Sequence, residues 1–311
     1  MGGLLAVGRE DVVVLRALGL GDLLTAVPAL RAVRRGLPGR VLLAAPAWLA
    51  PLALHTGAVD EVVDTAPLAA LPASLHGAAV AVNLHGRGPQ STSALRATGP
   101  GRLVAYEEPG APPWDDVDHE RDRWCRLVAG AGLPADPGEL DLLAPAGPPL
   151  ARGAVLVHPG AAYASRRWPA ARWAEVARAL VAHGEQVLVT GGADERDLAR
   201  SVAVGAGLPP DAVVAGRTGL LELASLVAAS RLLLCADTGI AHLATALGTP
   251  SVVLFGPAPP HRWRPPADRA RHRVLWSGQE GDVFAAAPDP GLLTITAAQV
   301  LREAAAALSA P

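Results

Sequence analysis

Short apolar runs recur along the chain, separated by longer stretches in which apolar positions repeat with the spacing of an amphipathic helix. This alternation predicts βαβ units and therefore a parallel sheet. Because each apolar run is almost uninterrupted, we expect the strands to be covered on both faces. Strands are predicted at residues 12–16, 41–45, 79–84, 102–105, 154–158, 186–190, 212–215, 232–235 and 251–255. Helices are predicted at residues 22–35, 121–131, 169–183, 220–229, 238–247 and 296–308.

A segment rich in proline and glycine, residues 144–153, separates the predicted strands into two groups. This composition is typical of an interdomain linker, and 311 residues are enough for two domains of about 150 residues each. We expect an α/β fold of two Rossmann-like, doubly wound parallel-sheet domains that face a central cleft. The predicted domains are 1–148 and 149–295, followed by a terminal helix in 296–311. Ligands of such folds bind beyond the carboxyl ends of strands, so the loops there should carry the chemistry.

Composition and charge exclude several classes of function. Hydrophobic residues make up 50% of the chain and charged residues 18%, which excludes a disordered protein. All 27 basic residues are arginine, so neither a Walker-type lysine nor a lysine Schiff base is available. The net charge of −2 gives no overall basic field, and we expect no nucleic-acid partner.

The cysteines and the uncharged segments indicate a cytoplasmic enzyme. Cys125 and Cys235 lie far apart in apolar segments, which predicts buried free thiols rather than a disulfide. Residues 1–7 lack the basic start of a secretory signal. The longest uncharged stretch, 243–260, contains too many prolines and glycines for a membrane-spanning helix. We expect at most peripheral membrane contact. No histidine spacing is typical of zinc, so no metal site is predicted.

The first candidate loop contains Gly19, Gly21 and Asp22, between a predicted strand and a predicted helix. It resembles part of a dinucleotide-binding fingerprint, but Leu24 stands where the third glycine belongs. Two interpretations of Asp22 remain open. It caps the helix, or its carboxylate faces the cleft as a general base that removes a proton from an attacking hydroxyl.

The second candidate loop reads HPGAAYASRRWP over residues 158–169. Ser165, Arg166 and Arg167 stand just before a helix that is predicted to begin near Pro169. Two guanidiniums beside a helix N-terminus favour a diphosphate, because both the arginines and the free N–H groups attract negative charge. The alternative is a pair of solvated surface arginines.

The third candidate loop opens the segment DTGIAHLATALGTPSVVLFGP at residues 237–257. Asp237 or Thr238 can cap the helix that follows, Gly239 lets a ligand approach the backbone, and His242 lies one turn later on the same face. These groups point at one anion. A histidine packed in the core is the alternative for His242.

Together these loops resemble glycosyltransferase family 9, the heptosyltransferases. The matching motifs occur in the family's order: LRALGLGDLLTAVPALRAVR at 15–34, HPGAAYASRRWP at 158–169, TGG at 190–192, AGRTGLLELASL at 215–226 and the segment at 237–257. The resemblance implies a GT-B architecture with an acceptor-binding first domain, a donor-binding second domain and a last helix that crosses back to the first. It implies inverting, metal-independent transfer of a heptose from ADP- or GDP-heptose to a hydroxyl of a saccharide, lipid-linked or small-molecule acceptor. The nucleotide-diphosphate sugar would be a co-substrate, with no cofactor.

The resemblance also assigns roles to residues of this sequence. Asp22 matches the family's base. Donor diphosphate and sugar contacts are expected from Ser165, Arg166, Arg167, Asp237, Thr238, Gly239 and His242. Arg166 stands where the family has a lysine, and the two side chains differ in geometry, so Arg167 is the alternative contact. Other contacts are expected from position rather than from the resemblance, because these residues lie in loops that follow predicted strands. They are nucleoside contacts from Thr190, Gly191, Thr218 and Glu222, and acceptor contacts from Gly19, Gly21, His85, Arg87 and Gln90, where an ordinary turn is the alternative for residues 83–90.

Three other functions compete with this one. A nucleotide-sugar binding protein of the same fold would need no cleft carboxylate, so Asp22 argues against it. A nucleotide-sugar epimerase or hydrolase would act without an acceptor. A dinucleotide oxidoreductase is disfavoured by Leu24.

Overall fold

The computed structural model describes residue 8 and residues 10–309. The prediction made on residues 1–7, and the last two residues of the segment 296–311, lie outside the described residues. The chain divides into two compact units, Met1–Leu140 and Asp141–Pro311. The division after Leu140 and the predicted boundary after residue 148 both precede the first strand of the second unit.

The first unit contains a parallel sheet of five strands. They are β1 (Val12–Leu15), β2 (Val41–Ala45), β3 (Glu61–Asp64), β4 (Val80–Asn83) and β5 (Arg102–Val104). The order across the sheet is β3-β2-β1-β4-β5, and all pairs are parallel. The chain builds outward from β1 in one direction, then returns to add β4 on its other side. The two loops that leave β1 and β4 therefore diverge, which opens a crevice at this switch point.

The second unit repeats this arrangement with another five parallel strands. They are β6 (Val155–His158), β7 (Val187–Val189), β8 (Leu232–Ala236), β9 (Ser251–Leu254) and β10 (His272–Leu275). The order is β10-β9-β8-β6-β7, so the switch point lies between β6 and β8. These two doubly wound parallel sheets confirm the predicted α/β fold class.

Helices connect the strands within each unit. They are α1 (Leu20–Gly36), α2 (Ala50–His55), α3 (Gln90–Arg96), α4 (Glu120–Gly130), α5 (Ala170–Ala182), α6 (Arg196–Ala206), α7 (Leu220–Ala228), α8 (Gly239–Leu247), α9 (Pro260–Trp263), α10 (Pro290–Thr294) and α11 (Ala297–Leu308). Gly207 and Gly248 follow α6 and α8 in the left-handed conformation, which glycine adopts without steric cost and which ends a helix.

The terminal helix α11 packs in the second unit. Val300 and Ala304 are fully buried in the core formed by the second sheet and α5, and α11 contacts α5, β8, β9 and β10. Trp168, just before α5, donates from its ring nitrogen to the Ile295 carbonyl at 3.1 Å. These contacts bury the apolar face of α11 within the second unit. The crossing of this helix back to the first domain, which the resemblance implies, stays a prediction.

The strand predictions were wrong at one position and incomplete at two. Residues 212–215 form no regular strand: Val213 makes a single bridge to Val189 of β7, and Gly216, with φ of 67°, turns the chain away. β3 (EVVD) and β10 (HRVL) were not predicted because charged residues interrupt their apolar runs. Both lie at sheet edges, where charged side chains stay solvated and oppose pairing with another chain.

None of the helices in the described part of the chain is long and apolar enough to cross a membrane.

Candidate functional site

Polar and charged residues stand at the ends of the strands on either side of the two switch points. In the first unit, Arg16 directly follows β1 and Asn83 ends β4. In the second unit, His158 ends β6 and Asp237 directly follows β8. Since parallel strands end at one edge of a sheet, each pair of loops is brought side by side.

Asp22 lies at the start of α1 and is partly exposed, with 27% of its side chain accessible. Its Oδ2 accepts a hydrogen bond from the Gly19 N–H at 3.1 Å, so Asp22 does cap the helix. Its Oδ1 pairs with Nη2 of the buried Arg16 at 3.2 Å. A carboxylate oxygen accepts more than one hydrogen bond, so the capping role leaves room for a hydroxyl that Asp22 would deprotonate.

Arg16 was not predicted as a site residue, yet its guanidinium organises this end of the sheet. The residue is 1% exposed. Its Nε donates to the backbone carbonyl of Asp22 at 2.9 Å, and its Nη1 donates to the carbonyl of Leu84. Arg16 therefore fixes the loop after β1 against the loop after β4. A charged residue at the end of an otherwise apolar strand is the sequence signal that indicates such a role.

Glu120, the first residue of α4, holds Arg16 from the opposite side. Its Oε1 lies 2.9 Å from Arg16 Nη2 and accepts from the Trp124 ring nitrogen at 2.9 Å, while Oε2 pairs with Arg123. Trp124 also lies under the Arg16 guanidinium, with 4.8 Å to its ring centre. Burial disfavours the charge of Glu120, but Arg16 and Arg123 outweigh it and hold its pKa below the usual value. Glu120 is therefore ionised at neutral pH.

His85 is a predicted acceptor contact whose ring is influenced by the charges of Arg16 and Asp22. Burial, and next the Arg16 charge, lower its pKa while Asp22 opposes them, so the ring is neutral at pH 7. Its Nδ1 is buried without a hydrogen-bond partner among the described residues, which leaves it free to bind a ligand hydroxyl. Arg87 instead pairs with Glu107 at 3.0 Å, and Gln90 begins α3 on the surface.

In the second unit, the loops after β6 and β7 are joined by side chains. Nδ1 of the buried His158 lies 2.9 Å from the Thr190 hydroxyl, and its Nε2 lies 3.8 Å from Glu195 Oε2. Burial lowers the pKa of His158, although Glu195 opposes this. Gly160 makes room for Glu195, because a Cβ there would lie 2.0 Å from its Oε1. His158 and Glu195 were missed as site residues, and only their proximity in the fold reveals them.

Arg166 and Asp237 meet at the second switch point. Arg166 Nη1 lies 3.8 Å from Asp237 Oδ2, and Arg166 Nε is buried without a hydrogen-bond partner among the described residues. Burial raises the pKa of Asp237 to about 6, although Arg166 opposes the shift. Thr238 precedes α8 without capping it by its side chain, so the first N–H groups of α8 are open to an anion.

The remaining predicted donor contacts differ in their exposure and in their hydrogen bonds. Arg167 is exposed, and its Nε donates to the Ala161 carbonyl at 2.8 Å. Ser165 is fully buried, and its hydroxyl donates to the Val283 carbonyl at 2.6 Å, so it anchors the loop and its proton is not available to a ligand in this conformation. His242 is partly exposed on α8, with its ring 5.9 Å from that of Trp263. Gly239 is the first residue of α8.

The predicted nucleoside contacts lie along the next two loops. Gly191 packs closely, because a Cβ there would lie 3.3 Å from that of Ala215. Glu222 caps α7 by accepting from the Gly219 N–H at 2.7 Å, and Thr218 is partly exposed just before that helix. Thr190 is buried against His158. A binding role for these residues stays a prediction.

Within residues 10–309, no group of three His, Cys, Asp or Glu side chains is arranged to hold a metal ion. The predicted absence of a metal and of a cofactor stays a prediction.

Comparison with known proteins gives the same assignment as the motifs. The profile described as glycosyltransferase family 9 (heptosyltransferase) matches residues 134–284. Lipopolysaccharide heptosyltransferase 2 of Salmonella typhimurium is 32% identical over 159 residues, which cover 49% of this chain and 45% of that protein. The chain thus spans less than half the length of the curated relatives it matches. These matches confirm the predicted resemblance.

Solved structures extend the likeness of fold to nearly the whole chain. The Escherichia coli ADP-heptose lipopolysaccharide heptosyltransferase II is 21% identical to this chain, with a TM-score of 0.75. The superposition covers 96% of this chain and 98% of that structure. A more distant structure, the iron-containing dodecameric glycosyltransferase TibC from enterotoxigenic E. coli, is 15% identical with a TM-score of 0.65, over 97% of this chain and 77% of its own. The likeness confirms the predicted GT-B fold class.

Proposed function

Because residues 134–284 match the profile of glycosyltransferase family 9, we propose that this chain transfers a heptose from a nucleotide diphosphate carrier to an acceptor hydroxyl. The donor is ADP-heptose or GDP-heptose, with ADP favoured by the solved heptosyltransferase. The acceptor is a saccharide, a lipid-linked glycan or a natural product, and an acceptor bound to lipid would bring peripheral membrane contact. Transfer inverts the anomeric centre and needs no metal. The observation that carries the proposal is the anion site formed by Arg166 and the open N-terminus of α8.

The donor diphosphate binds at that anion site. The side chain of Arg166 is 25% accessible, so its guanidinium can reach a phosphate oxygen. Two guanidiniums, those of Arg166 and Arg167, offer forked donors that match phosphate oxygens. The N–H groups at the start of α8 add partial positive charge. Together these groups stabilise the charge that gathers on the leaving diphosphate, in the place of a metal ion.

Asp22 serves as the general base. It accepts the proton of the acceptor hydroxyl, whose oxygen attacks the anomeric carbon on the face opposite the diphosphate. This direction of attack inverts the configuration. General-base assistance of this kind contributes roughly 10²- to 10⁴-fold in rate. The ion pair with Arg16 and the hydrogen bond from the Gly19 N–H hold the carboxylate in one orientation.

The donor class is tested by calorimetric titration with ADP, GDP, UDP and dTDP in the presence of EDTA. We expect micromolar binding of one nucleotide by the wild type and its loss in the Arg166→Ala, Arg167→Ala double variant. Arg200→Ala is the matched control, since Arg200 is an exposed arginine of the same unit that pairs with Asp197. Absence of binding to every nucleotide would refute the proposed donor site.

Transfer is tested by nucleotide release from ADP-heptose in the presence of a panel of heptose- and hexose-containing acceptors. We expect acceptor-dependent release that Asp22→Asn reduces by 10²-fold or more, and a product of inverted anomeric configuration by NMR. Release that does not depend on any acceptor would favour the hydrolase interpretation. Nucleotide binding without any release would favour the non-catalytic binding protein.

A further inference from the structure

A fully buried guanidinium in the first unit is shared between two carboxylates. Arg16 Nη2 lies 3.2 Å from Asp22 Oδ1 and 2.9 Å from Glu120 Oε1. The side chain of Arg16 is 0% accessible and that of Glu120 is 8% accessible, whereas Asp22 is 27% accessible. One carboxylate of the pair is thus sealed in the protein, and the other reaches solvent.

The buried carboxylate is held in place by more contacts than the exposed one. Glu120 accepts from the Trp124 ring nitrogen, pairs with Arg123, and begins α4 next to the capping residue His119. Arg123 is anchored in turn by the backbone carbonyls of Asp115 and Asp118. These contacts fix Glu120, and Glu120 therefore fixes the guanidinium that faces Asp22.

Glu120 also determines how strongly Arg16 acts on Asp22. A positive charge next to a general base weakens it, because it opposes the uptake of a proton. A second, buried carboxylate on the same nitrogen offsets that charge. The charged groups around Asp22 are then Arg16 at the end of β1, Glu120 and Arg123 on α4, and the neutral His85 after β4.

We propose that Glu120 is a positioning residue for the base: it holds Arg16 in place and offsets part of its charge, so that Asp22 stays oriented and able to take a proton. This inference rests on the proposed role of Asp22 in glycosyl transfer. Glu120 itself is sealed by Arg16, Arg123 and Trp124 and acts only through Arg16.

The proposal predicts opposite changes in the pH dependence of two variants. In Glu120→Gln the full charge of Arg16 acts on Asp22, so the acidic limb of the rate profile moves to lower pH by about one unit, and the plateau rate falls roughly threefold to tenfold. In Arg16→Met the positive charge is lost, and the acidic limb moves to higher pH. The KM for the donor stays unchanged in both. Glu120→Asp keeps the charge and restores the position of the limb.

Asp11→Asn is the matched control. Asp11 is a buried carboxylate that pairs with Arg40 at 2.7 Å, at the opposite end of β1 from Arg16. We expect Asp11→Asn to lower the free energy of unfolding without moving the acidic limb of the pH–rate profile. A Glu120→Gln variant that loses stability and rate while its limb stays in place would overturn the proposal, as would a shift to higher pH.

A second measurement keeps this inference separate from the proposed function. The carboxyl-carbon NMR signal of Asp22, identified by its absence in Asp22→Asn, reports proton uptake without any substrate. We expect its midpoint to move to lower pH in Glu120→Gln and back in Glu120→Asp. If the protein transfers no sugar, the proposed function is refuted, but this titration still shows whether Glu120 affects proton uptake by Asp22. If Arg16→Met does not fold, the two Glu120 variants suffice, and an unmoved midpoint in Glu120→Gln refutes the proposal.

Discussion

The substitution Asp237→Asn should stabilise the protein at neutral pH. Asp237 is 4% exposed, and burial, opposed by Arg166, raises its pKa to about 6 from the ordinary 3.8. Between these two values the folded protein holds a proton that the unfolded chain releases. The free energy of unfolding therefore falls as the pH rises from about 4 to about 6, and the loss remains above that window.

The size of the effect follows from the pKa difference. One pKa unit corresponds to about 1.4 kcal/mol, so a rise from 3.8 to about 6 means that the buried charge costs about 3 kcal/mol at pH 7.5. Asparagine has nearly the same shape and carries no charge, so Asp237→Asn should recover most of that amount. At roughly 2–4 °C per kcal/mol for a unit of this size, the melting temperature should rise by about 6–12 °C.

Scanning calorimetry at pH 4 and pH 7.5 provides the measurement. The variant and the wild type should melt close together at pH 4 and apart at pH 7.5. Asp268→Asn, at an exposed position of the same unit, should change neither transition. Arg166→Met should lower the stability at pH 7.5, because it removes the charge that opposes the shift. A variant that gains no more stability at pH 7.5 than at pH 4 would refute the reasoning.

Three further predictions follow from packing and capping. Trp168→Ala should lower the free energy of unfolding by about 3–5 kcal/mol in urea denaturation, because it removes a buried ring and its bond to Ile295. Gly160→Ala should lower the free energy of unfolding by only about 0.5–1.5 kcal/mol, because the new Cβ displaces the flexible end of Glu195 from the Gly192 N–H, and Glu195→Ala in the same chain should relieve the clash. Glu222→Ala should lower the free energy of unfolding by about 1 kcal/mol, because α7 loses its cap, and should also weaken ADP binding in calorimetry. Thr218→Ala should weaken ADP binding without a change in the free energy of unfolding. Unchanged affinity in both variants would end their nucleoside assignment.

The central strands were predictable because burial on both faces requires an uninterrupted run of apolar residues, which the sequence shows directly. β1 (VVVL) and β8 (LLLCA) are entirely buried, and uninterrupted apolar runs are typical of such strands. The edges were not predictable in the same way. β3 and β10 mix charged with apolar residues, and their pairing depends on neighbours that are distant in sequence.

The same distinction holds for the candidate site, where residues in local motifs were predicted and contacts between distant residues were not. The loops around Asp22, Arg166 and Asp237 were found because each follows a strand and carries a motif. The contact of Arg16 with Glu120 joins residues 104 positions apart, and no local pattern predicts it. The hydroxyl of Ser165 lies next to the arginines in sequence but bonds to Val283, which only the fold reveals.

The single bridge at Val213 extends the likeness between the two sheets. If that bridged segment is counted as a strand beyond β7, the second sheet contains the strand order of the first, with β6 in the place of β1, β8 in the place of β4 and β10 as an additional edge strand. Equivalent positions then carry different side chains, because Arg16 follows the first strand of one unit and His158 ends the first strand of the other. The same backbone frame thus presents a guanidinium at one switch point and an imidazole at the other.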